Sequence, residues 1–152
     1  MQLNDGRGAF PTQRPFGPSK ATIRSAIAAD LDGDGTMDLA IIDEMGSAGV
    51  VRGLAGGAYA APAPLGPSGA RPYALAVHDV DGNGRPDVLV GYTNARPIVF
   101  FNDGPARFTA VPFGDAEGVT YGFAVADLDT DGALDIVVAR SEARNMVYFG
   151  SK

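Results

Sequence analysis

An acidic nine-residue pattern occurs three times in this chain at nearly constant spacing. The first copy, at residues 30–38, reads Asp-Leu-Asp-Gly-Asp-Gly-Thr-Met-Asp, and related copies occupy residues 79–87 and 127–135. The first aspartates of successive copies lie 49 and 48 residues apart. A repeat of about 20–50 residues is typical of folds that stack one small structural unit. The spacing of the repeat therefore restricts the possible folds more than any single segment of the sequence does.

The three patterns have the chemistry of cation-binding loops. Oxygen-bearing side chains occupy positions 1, 3, 5 and 9, and glycine occupies position 6 in every copy. Hard cations such as Ca²⁺ take about six to eight oxygen ligands, and a tight turn lets one short segment supply most of them. Carboxylates crowded into one turn also repel each other unless a cation neutralises them. The sequence therefore predicts up to three Ca²⁺ sites per chain.

Two other kinds of loop share parts of this pattern with a calcium site. An EF-hand needs a bidentate glutamate at position 12 and flanking helices, whereas position 12 is Ile41, Val90 or Val138, each within an apolar run. This excludes an ordinary EF-hand. A metal-free Asp-Gly turn, held by hydrogen bonds between side chain and backbone, is the other alternative.

Short apolar runs surround each loop. One run precedes the loop, a partly β-branched run follows it, and a third comes after a polar turn. A fourth strand is predicted to begin at Tyr59 and at Phe108. Four-stranded units of about 40–50 residues in tandem are typical of β-propeller blades. We predict an all-β propeller in which a single repeat domain, residues 1–152, comprises a closing fourth strand at 1–20, blade 1 at 21–69, blade 2 at 70–117 and the first three strands of blade 3 at 118–152.

The last predicted blade is divided between the two ends of the chain. Residues 4–10 match residues 102–108, which lead into the fourth strand of blade 2. Propellers have about four to eight blades, so three blades do not close a ring. We predict a homodimer in which residues 4–17 of one chain complete blade 3 of the other and form a six-bladed ring. A fragment of a longer propeller, a nine-bladed trimer and an engineered half-propeller are the alternatives.

Composition restricts the class of protein. The chain has 152 residues, no cysteine, 21 glycines and 11 prolines, which excludes disulfides and argues against a helical bundle. Of 18 acidic residues, 11 lie in the three loops, so the formal charge of −6 is local. The 12 lysines and arginines are scattered and form no nucleic-acid-binding stripe. No apolar run reaches about 18 residues, so no membrane span is expected, and no secretory leader is recognised.

These features resemble the FG-GAP/VCBS repeats of β-propellers, a family that includes the integrin α-subunit head and many bacterial surface and lectin-like modules. The resemblance rests on Asn-Asp-Gly-x-Gly-x-Phe at residues 4–10 and on Asp-x-Asp-Gly-Asp-Gly-x-x-Asp-Leu at 30–39 with its later copies. It implies that each loop joins the first two strands of a blade and binds Ca²⁺. The implied ligands are the side chains of Asp30, Asp32, Asp34, Asp38, Asp79, Asp81, Asn83, Asp87, Asp127, Asp129, Asp131 and Asp135 and the backbone carbonyls of Thr36, Arg85 and Ala133.

Two departures from the pattern affect the expected sites. Asn83 makes the second loop one charge poorer than the other two, so we expect the second site to be the weakest. Thr130 replaces the glycine at position 4 of the third loop. That replacement is a small change only if the φ angle of Thr130 is negative.

No catalytic constellation is apparent, so we predict that the protein is not an enzyme. His78 is the single histidine, and no Ser-His-Asp set can be assembled around it. Better candidates for ligand binding lie on the rim opposite the acidic loops. Aromatic rings beside polar groups stack on and hydrogen-bond sugars or peptides. The rim candidates are Arg24, Tyr73, Tyr121, Asn94, Arg96 and Arg144.

The sequence predicts a non-enzymatic, calcium-stabilised scaffold for extracellular or cell-surface adhesion and recognition. Its expected partners are a second copy of the chain and a glycan or protein ligand. A carbohydrate-binding lectin and an accessory propeller of a polysaccharide-degrading enzyme are the alternatives. The resemblance implies a shared fold and ion rather than one shared ligand.

Overall fold

The computed structural model describes residues 2–3, 6–9, 11–105 and 107–151. These ranges contain antiparallel strands and one short 3₁₀ turn at Ala55–Gly57, without an α-helix. The same ranges hold no helix of the length and apolar character that a membrane crossing requires. In chain order the strands are β1 (Gln2–Leu3), β2 (Thr12–Gln13), β3 (Ile23–Ala29), β4 (Asp38–Asp43), β5 (Ala48–Val51), β6 (Gly53–Leu54), β7 (Ala58–Tyr59), β8 (Ala63–Leu65), β9 (Pro72–His78), β10 (Asp87–Tyr92), β11 (Ile98–Gly104), β12 (Arg107–Pro112), β13 (Val119–Ala126), β14 (Asp135–Ser141) and β15 (Met146–Tyr148).

Three antiparallel sheets follow one another along the chain, and each begins with the strand that precedes an acidic loop. Their strand orders are β3-β4-β5-β8 in blade 1, β9-β10-β11-β12 in blade 2 and β13-β14-β15 in blade 3. Consecutive strands are neighbours in every blade, apart from a small β6–β7 hairpin inserted in blade 1. Short meanders in tandem confirm the predicted all-β, propeller-like fold.

The three blades share one strand register. In blade 2, Val88 on β10 pairs with Val77 on β9 and with Phe100 on β11. A slip of one residue would move every side chain to the opposite face of the sheet. The shared register therefore allows residues 49 or 48 positions apart to be compared directly. The equivalent pairs are Leu39 with Ala28 and Val51 in blade 1, and Ile136 with Val125 and Tyr148 in blade 3.

Two apolar cores lie between consecutive blades. Val88 and Val90 of β10 belong to the core shared with blade 1, whereas Leu89 between them belongs to the core shared with blade 3. All six residues of β10 are buried because the central blade is covered on both faces. Burial on both faces explains why the sequence of this strand is nearly continuous in apolar residues rather than alternating.

The fourth strand of blade 1 differs from the prediction. Tyr59 lies in β7, which pairs with β6, and the outer strand of the blade is β8 at Ala63–Leu65. The predicted start at Tyr59 is therefore wrong, whereas Phe108 lies in β12, the outer strand of blade 2, as predicted. Gly56 and Gly57 explain the difference. Both have positive φ angles, 75° and 74°, and they form the 3₁₀ turn that closes the extra hairpin.

The N-terminal strands form a sheet of their own. β2 pairs with β1 rather than with a strand of blade 3 in the same chain. The exchange of residues 4–17 between two chains therefore stays a prediction. Asn4, Asp5 and Phe10, which carry much of the sequence match behind it, lie outside the described residues.

The outer side of blade 3 is exposed. β15 forms the edge of its sheet within the described residues. Val147 on this strand exposes 40% of its surface, whereas Val99, at the same position in blade 2, exposes 3%. Phe149, which follows β15, is also exposed. The difference arises because blade 3 packs against a neighbouring blade on one side, whereas blade 2 packs on both.

Candidate metal centres

Each acidic loop joins the first and second strands of a blade. Residues 30–38 connect β3 to β4, residues 79–87 connect β9 to β10, and residues 127–135 connect β13 to β14. Because the blades share one register, the three loops occupy equivalent places in the fold. Their side chains form three centres, which we call centres 1, 2 and 3 in chain order.

The first aspartate of each loop folds the turn around its own carboxylate. Asp30 accepts hydrogen bonds from the backbone N–H groups of Gly33 and Gly35, at 2.8 and 2.9 Å. Short local bonds of this kind are typical of aspartate in turns. They hold the carboxylate on the concave side of the loop. The bond from Gly35 recurs from Gly84 to Asp79 and from Gly132 to Asp127, and Asp79 also accepts from the N–H of Asn83 at the next loop position after that of Gly33.

The last aspartate of each loop is fully buried and ties the loop to the third strand of its blade. One oxygen of Asp38 accepts from the N–H of Leu31 in the loop, at 3.0 Å, and the other accepts from the N–H of Gly53 after β5, at 2.7 Å. A buried carboxylate is tolerated only where such donors or a positive charge compensate it. The same two bonds recur from Val80 and Asn102 to Asp87, and from Leu128 and Gly150 to Asp135.

Three aspartates converge in each centre. Carboxylate oxygens from positions 1, 3 and 9 of the loop lie within 4.8 Å of one another. Positions 1, 3 and 9 are among the ligand positions that the sequence pattern and the resemblance imply. The groups are Asp30, Asp32 and Asp38 in centre 1, Asp79, Asp81 and Asp87 in centre 2, and Asp127, Asp129 and Asp135 in centre 3.

Asp34 and Asp131, at position 5 of the first and third loops, lie outside these groups of three. Asp34 accepts a hydrogen bond from the N–H of Thr36 at 2.7 Å, and Asp131 accepts one from the N–H of Ala133 at 2.7 Å. The side-chain oxygen of Asn83 accepts the equivalent bond from Arg85. Each position 5 oxygen thus closes the loop in this structure. The predicted ligand roles of position 5 and of the carbonyls at position 7 stay predictions.

The electrostatics of the centres fit a hard cation. Burial raises the pKa of Asp87, repulsion from Asp81 and Asp79 adds to the rise, and backbone hydrogen bonds from Asn102 and Val80 oppose it. Grouped carboxylates therefore repel each other within centre 2. In centre 3, the Oδ1 atom of Asp127 is buried and accepts no hydrogen bond from the described residues. Converging carboxylate oxygens with an unsatisfied buried acceptor suit the oxygen ligation of Ca²⁺.

The three centres differ in their neighbours. In centre 1, the guanidinium of Arg52 pairs with Asp32, with 2.9 Å between Nε and Oδ2. In centre 2, the Nδ2 atom of Asn83 donates to Asp81 at 2.9 Å. Arg85 lies nearby but donates to the carbonyl of Asn102 rather than to a carboxylate. An arginine therefore contacts a clustered carboxylate in centre 1, and an amide does so in centre 2.

Thr130 adopts a strained backbone conformation in centre 3. Its φ angle is 65°, close to the 78° of Gly33 and the 71° of Gly82 at the same loop position. Because the φ angle of Thr130 is positive, the replacement of glycine by threonine at this position is not a small change. A β-branched residue with positive φ is a conformational outlier, so the third loop stores strain that the other two avoid with glycine.

Three of the six rim candidates come together. The guanidinium carbon of Arg24 lies 3.6 Å from the centroid of the Tyr73 ring, and the Tyr73 and Tyr121 rings are edge to face at 4.8 Å. Arg24 also pairs with the carboxylate of Glu44, another residue of the same rim. These residues lie near the starts of β3, β9 and β13, opposite the strand ends that lead into the acidic loops. Tyr121 closes the row with 55% of its surface exposed.

The other three rim candidates lie apart from this row. The side chain of Asn94 accepts from the N–H of Arg71 and donates to the carbonyl of Gly69, so it supports a turn. Arg96 lines an open groove formed by residues of blades 1 and 2. Arg144 is exposed. The sequence also missed a pair between Arg140 and Asp115, because 25 residues separate them.

Comparison with known families agrees with this geometry. The sequence model of the FG-GAP-like repeat matches residues 1–41 and 79–138, which include all three acidic loops. The chain belongs to the FG-GAP-like repeat family. The unmatched residues 42–78 contain the β6–β7 hairpin, where blade 1 departs from the repeat. No curated protein matches the chain.

Relief of the strain at Thr130 provides a test of this loop geometry. We expect Thr130→Gly to raise the free energy of unfolding by about 0.5–1 kcal/mol, because the gain from removing a left-handed β-branched residue exceeds the entropy cost of glycine. The measurement is urea denaturation in EDTA. Gly82→Thr is the matched control, since a Cβ at Gly82 meets no atom within 4 Å and adds only the strain. A stabilising effect of Gly82→Thr would contradict the assignment.

Proposed function

We propose that this FG-GAP-like repeat protein is a calcium-stabilised, non-enzymatic propeller module that serves as an extracellular recognition scaffold. The observation that carries the proposal is the convergence of three carboxylates in each of three equivalent loops. A single acidic turn would be ordinary surface chemistry. Three such turns, each closing on a fully buried aspartate, provide repeated sites of the same kind.

The carboxylates at positions 1, 3 and 9 would hold the ion in each centre. When bound, Ca²⁺ supplies the positive charge that offsets repulsion among these groups. Each loop is joined to the third strand of its blade through the buried aspartate, so binding favours the folded blade over the unfolded chain. Extracellular modules bind calcium at about 10⁻⁴–10⁻³ M. At a calcium concentration tenfold above Kd, one site would add about 1.4 kcal/mol of stability.

The proposed setting is extracellular, where sites of this affinity range would be filled. Calcium at about millimolar concentration would fill sites of the extracellular class, whereas such sites would be largely empty at much lower concentrations. We propose a scaffold rather than an enzyme because the clustered carboxylates of the three centres are assigned to a structural metal ion rather than to catalysis. His78 lies exposed at the end of β9, in the residue before the second loop.

The row formed by Arg24, Tyr73 and Tyr121 is the proposed ligand-binding surface. It presents an exposed aromatic ring beside a guanidinium and the carboxylate of Glu44. Rings with adjacent polar groups suit the stacking and hydrogen bonding of a sugar. A carbohydrate ligand is therefore the second candidate function, carried by the exposure of Tyr121.

We also propose that two copies associate through the outer side of blade 3. This side carries Val147 and Phe149, both exposed, whereas the equivalent residues of blade 2 are buried (Val99) or partly buried (Phe101). An uncovered sheet edge with apolar side chains favours association. A second three-bladed copy would cover it and complete six blades, a number within the usual range for propellers.

Calcium should stabilise the fold in a thermal melt. We expect the melting temperature in 2 mM Ca²⁺ to exceed that in EDTA by about 8–17 °C, because three sites of about 1.4 kcal/mol each add about 4 kcal/mol and each kcal/mol is worth about 2–4 °C in a chain of this size. The measurement is circular dichroism in the two buffers. A variant carrying Asp32→Asn, Asp81→Asn and Asp129→Asn is the control, and it should lose most of the difference. Equal melting temperatures for the unmodified chain would contradict the calcium proposal.

Association of two copies should be visible in solution mass. Multi-angle light scattering with calcium is expected to give twice the mass of the chain, and Val147→Asp should give the mass of one chain. Val111→Asp is the matched control, because Val111 is a similarly exposed valine on the outer strand of blade 2. A monomeric mass for the unmodified chain at high concentration would rule out the ring of two copies.

Sugar binding is tested on a glycan array. We expect specific glycans to bind the unmodified protein and to lose most of their signal with Tyr121→Ala, because the exposed ring is the stacking surface. The exposed Leu54→Ala provides a control on the β6–β7 hairpin of blade 1. An array without hits, or hits unaffected by Tyr121→Ala, would remove the lectin candidate.

A further inference from the structure

One arginine distinguishes centre 1 from the other two. Gly53, Asn102 and Gly150 occupy the same repeat position, because the N–H of each donates to the last aspartate of its own loop. The residue before them is therefore also equivalent in the three blades. It is phenylalanine in blades 2 and 3, at positions 101 and 149, and Arg52 in blade 1.

The backbone of blade 1 holds Arg52 beside the loop. The carbonyl of Arg52 accepts a hydrogen bond from the N–H of Ala60, at 2.9 Å, so the residue is fixed where the β6–β7 hairpin leaves the sheet. From there its Nε atom reaches Oδ2 of Asp32 at 2.9 Å. The Asp32 side chain is only 6% exposed, whereas Asp81 and Asp129, at the same loop position, are exposed.

The guanidinium of Arg52 partly neutralises the negative charge that would attract a metal ion to centre 1. Asp32 is one of the three carboxylates that converge in centre 1. The ion pair with Arg52 engages one of its oxygens and places a permanent positive charge beside the cluster. A divalent ion must then displace the arginine or bind next to it. In centre 2, by contrast, the group on Asp81 is the neutral amide of Asn83.

We propose that Arg52 sets centre 1 apart as the low-affinity calcium site of this chain, which would fill only after the other two. The inference rests on the proposed calcium function and extends it to a calcium response in two stages. Centre 3 has no cation on its clustered carboxylates among the described residues, and centre 2 has an uncharged partner. The order differs from that expected from the charge of Asn83 alone, because the arginine competes directly for a carboxylate oxygen.

Arg52 has opposite effects with and without calcium. In EDTA it relieves repulsion between the carboxylates, so its removal lowers the melting temperature. In calcium it opposes the ion, so its removal raises the affinity of centre 1. A residue with a merely structural role would lower stability in both conditions. The opposed signs therefore separate a role in calcium affinity from a role in packing.

Exchange of residues between equivalent positions tests the inference. Arg52→Phe gives blade 1 the residue of the other blades, and native mass spectrometry across a calcium titration counts the ions bound. We expect two tight ions and one bound about tenfold more weakly in the unmodified chain, a difference of about 1.4 kcal/mol. Arg52→Phe should bring the third ion to within a few fold of the others, and Arg52→Gln should do the same without adding a ring.

The reverse exchange places an arginine at centre 3. Phe149 is 63% exposed in the single chain, so Phe149→Arg should leave the fold of the blade intact, and its loss from the proposed association surface is shared by Phe149→Gln. We expect it to weaken a second ion about tenfold relative to Phe149→Gln, which removes the same ring without adding charge. Equal binding of all three ions before and after Arg52→Phe would overturn the inference alone. A chain that binds no calcium would overturn the proposed function and the inference together.

Discussion

In each blade, one buried aspartate holds the acidic loop to the third strand through two hydrogen bonds. Asp38, Asp87 and Asp135 each accept one N–H from their own loop and one from the end of the third strand. Each side chain thereby fixes three segments that the sequence separates. The cost of burying a charge is offset by these donors. Because the bonds recur at one register, the three loops keep the same shape despite differences in their sequences.

Variation within this common frame makes the centres chemically distinct. An arginine pairs with one carboxylate of centre 1, the amide of Asn83 donates to one carboxylate of centre 2, and Thr130 strains the loop of centre 3. None of these changes alters the last aspartate or the strand register. Repeats of this kind allow one unit to serve as the control for another, because the surrounding backbone is the same. The chain therefore holds three versions of one site in a single molecule.

The sequence predicted the features that depend on local pattern. The acidic loops, the apolar runs beside them and the start of the outer strand at Phe108 follow from spacing and composition. The outer strand of blade 1 was misplaced because Gly56 and Gly57 adopt positive φ angles that close an extra hairpin. The pairs of Arg52 with Asp32 and of Arg140 with Asp115 were missed because they join residues 20 and 25 positions apart. Such contacts depend on how strands are stacked, and no local signal in the sequence encodes them.

The stacking of the blades has a consequence for how the chain loses structure. Each blade is a contiguous stretch of chain, and each apolar core joins only consecutive blades. Stability in such arrays is the sum of a contribution from each unit and one from each interface between neighbours. Blade 2 takes part in two interfaces and blade 3 in one. In a single chain we therefore expect local opening to begin with fraying of blade 3, and the amide protons of β14 to exchange with solvent before those of β10.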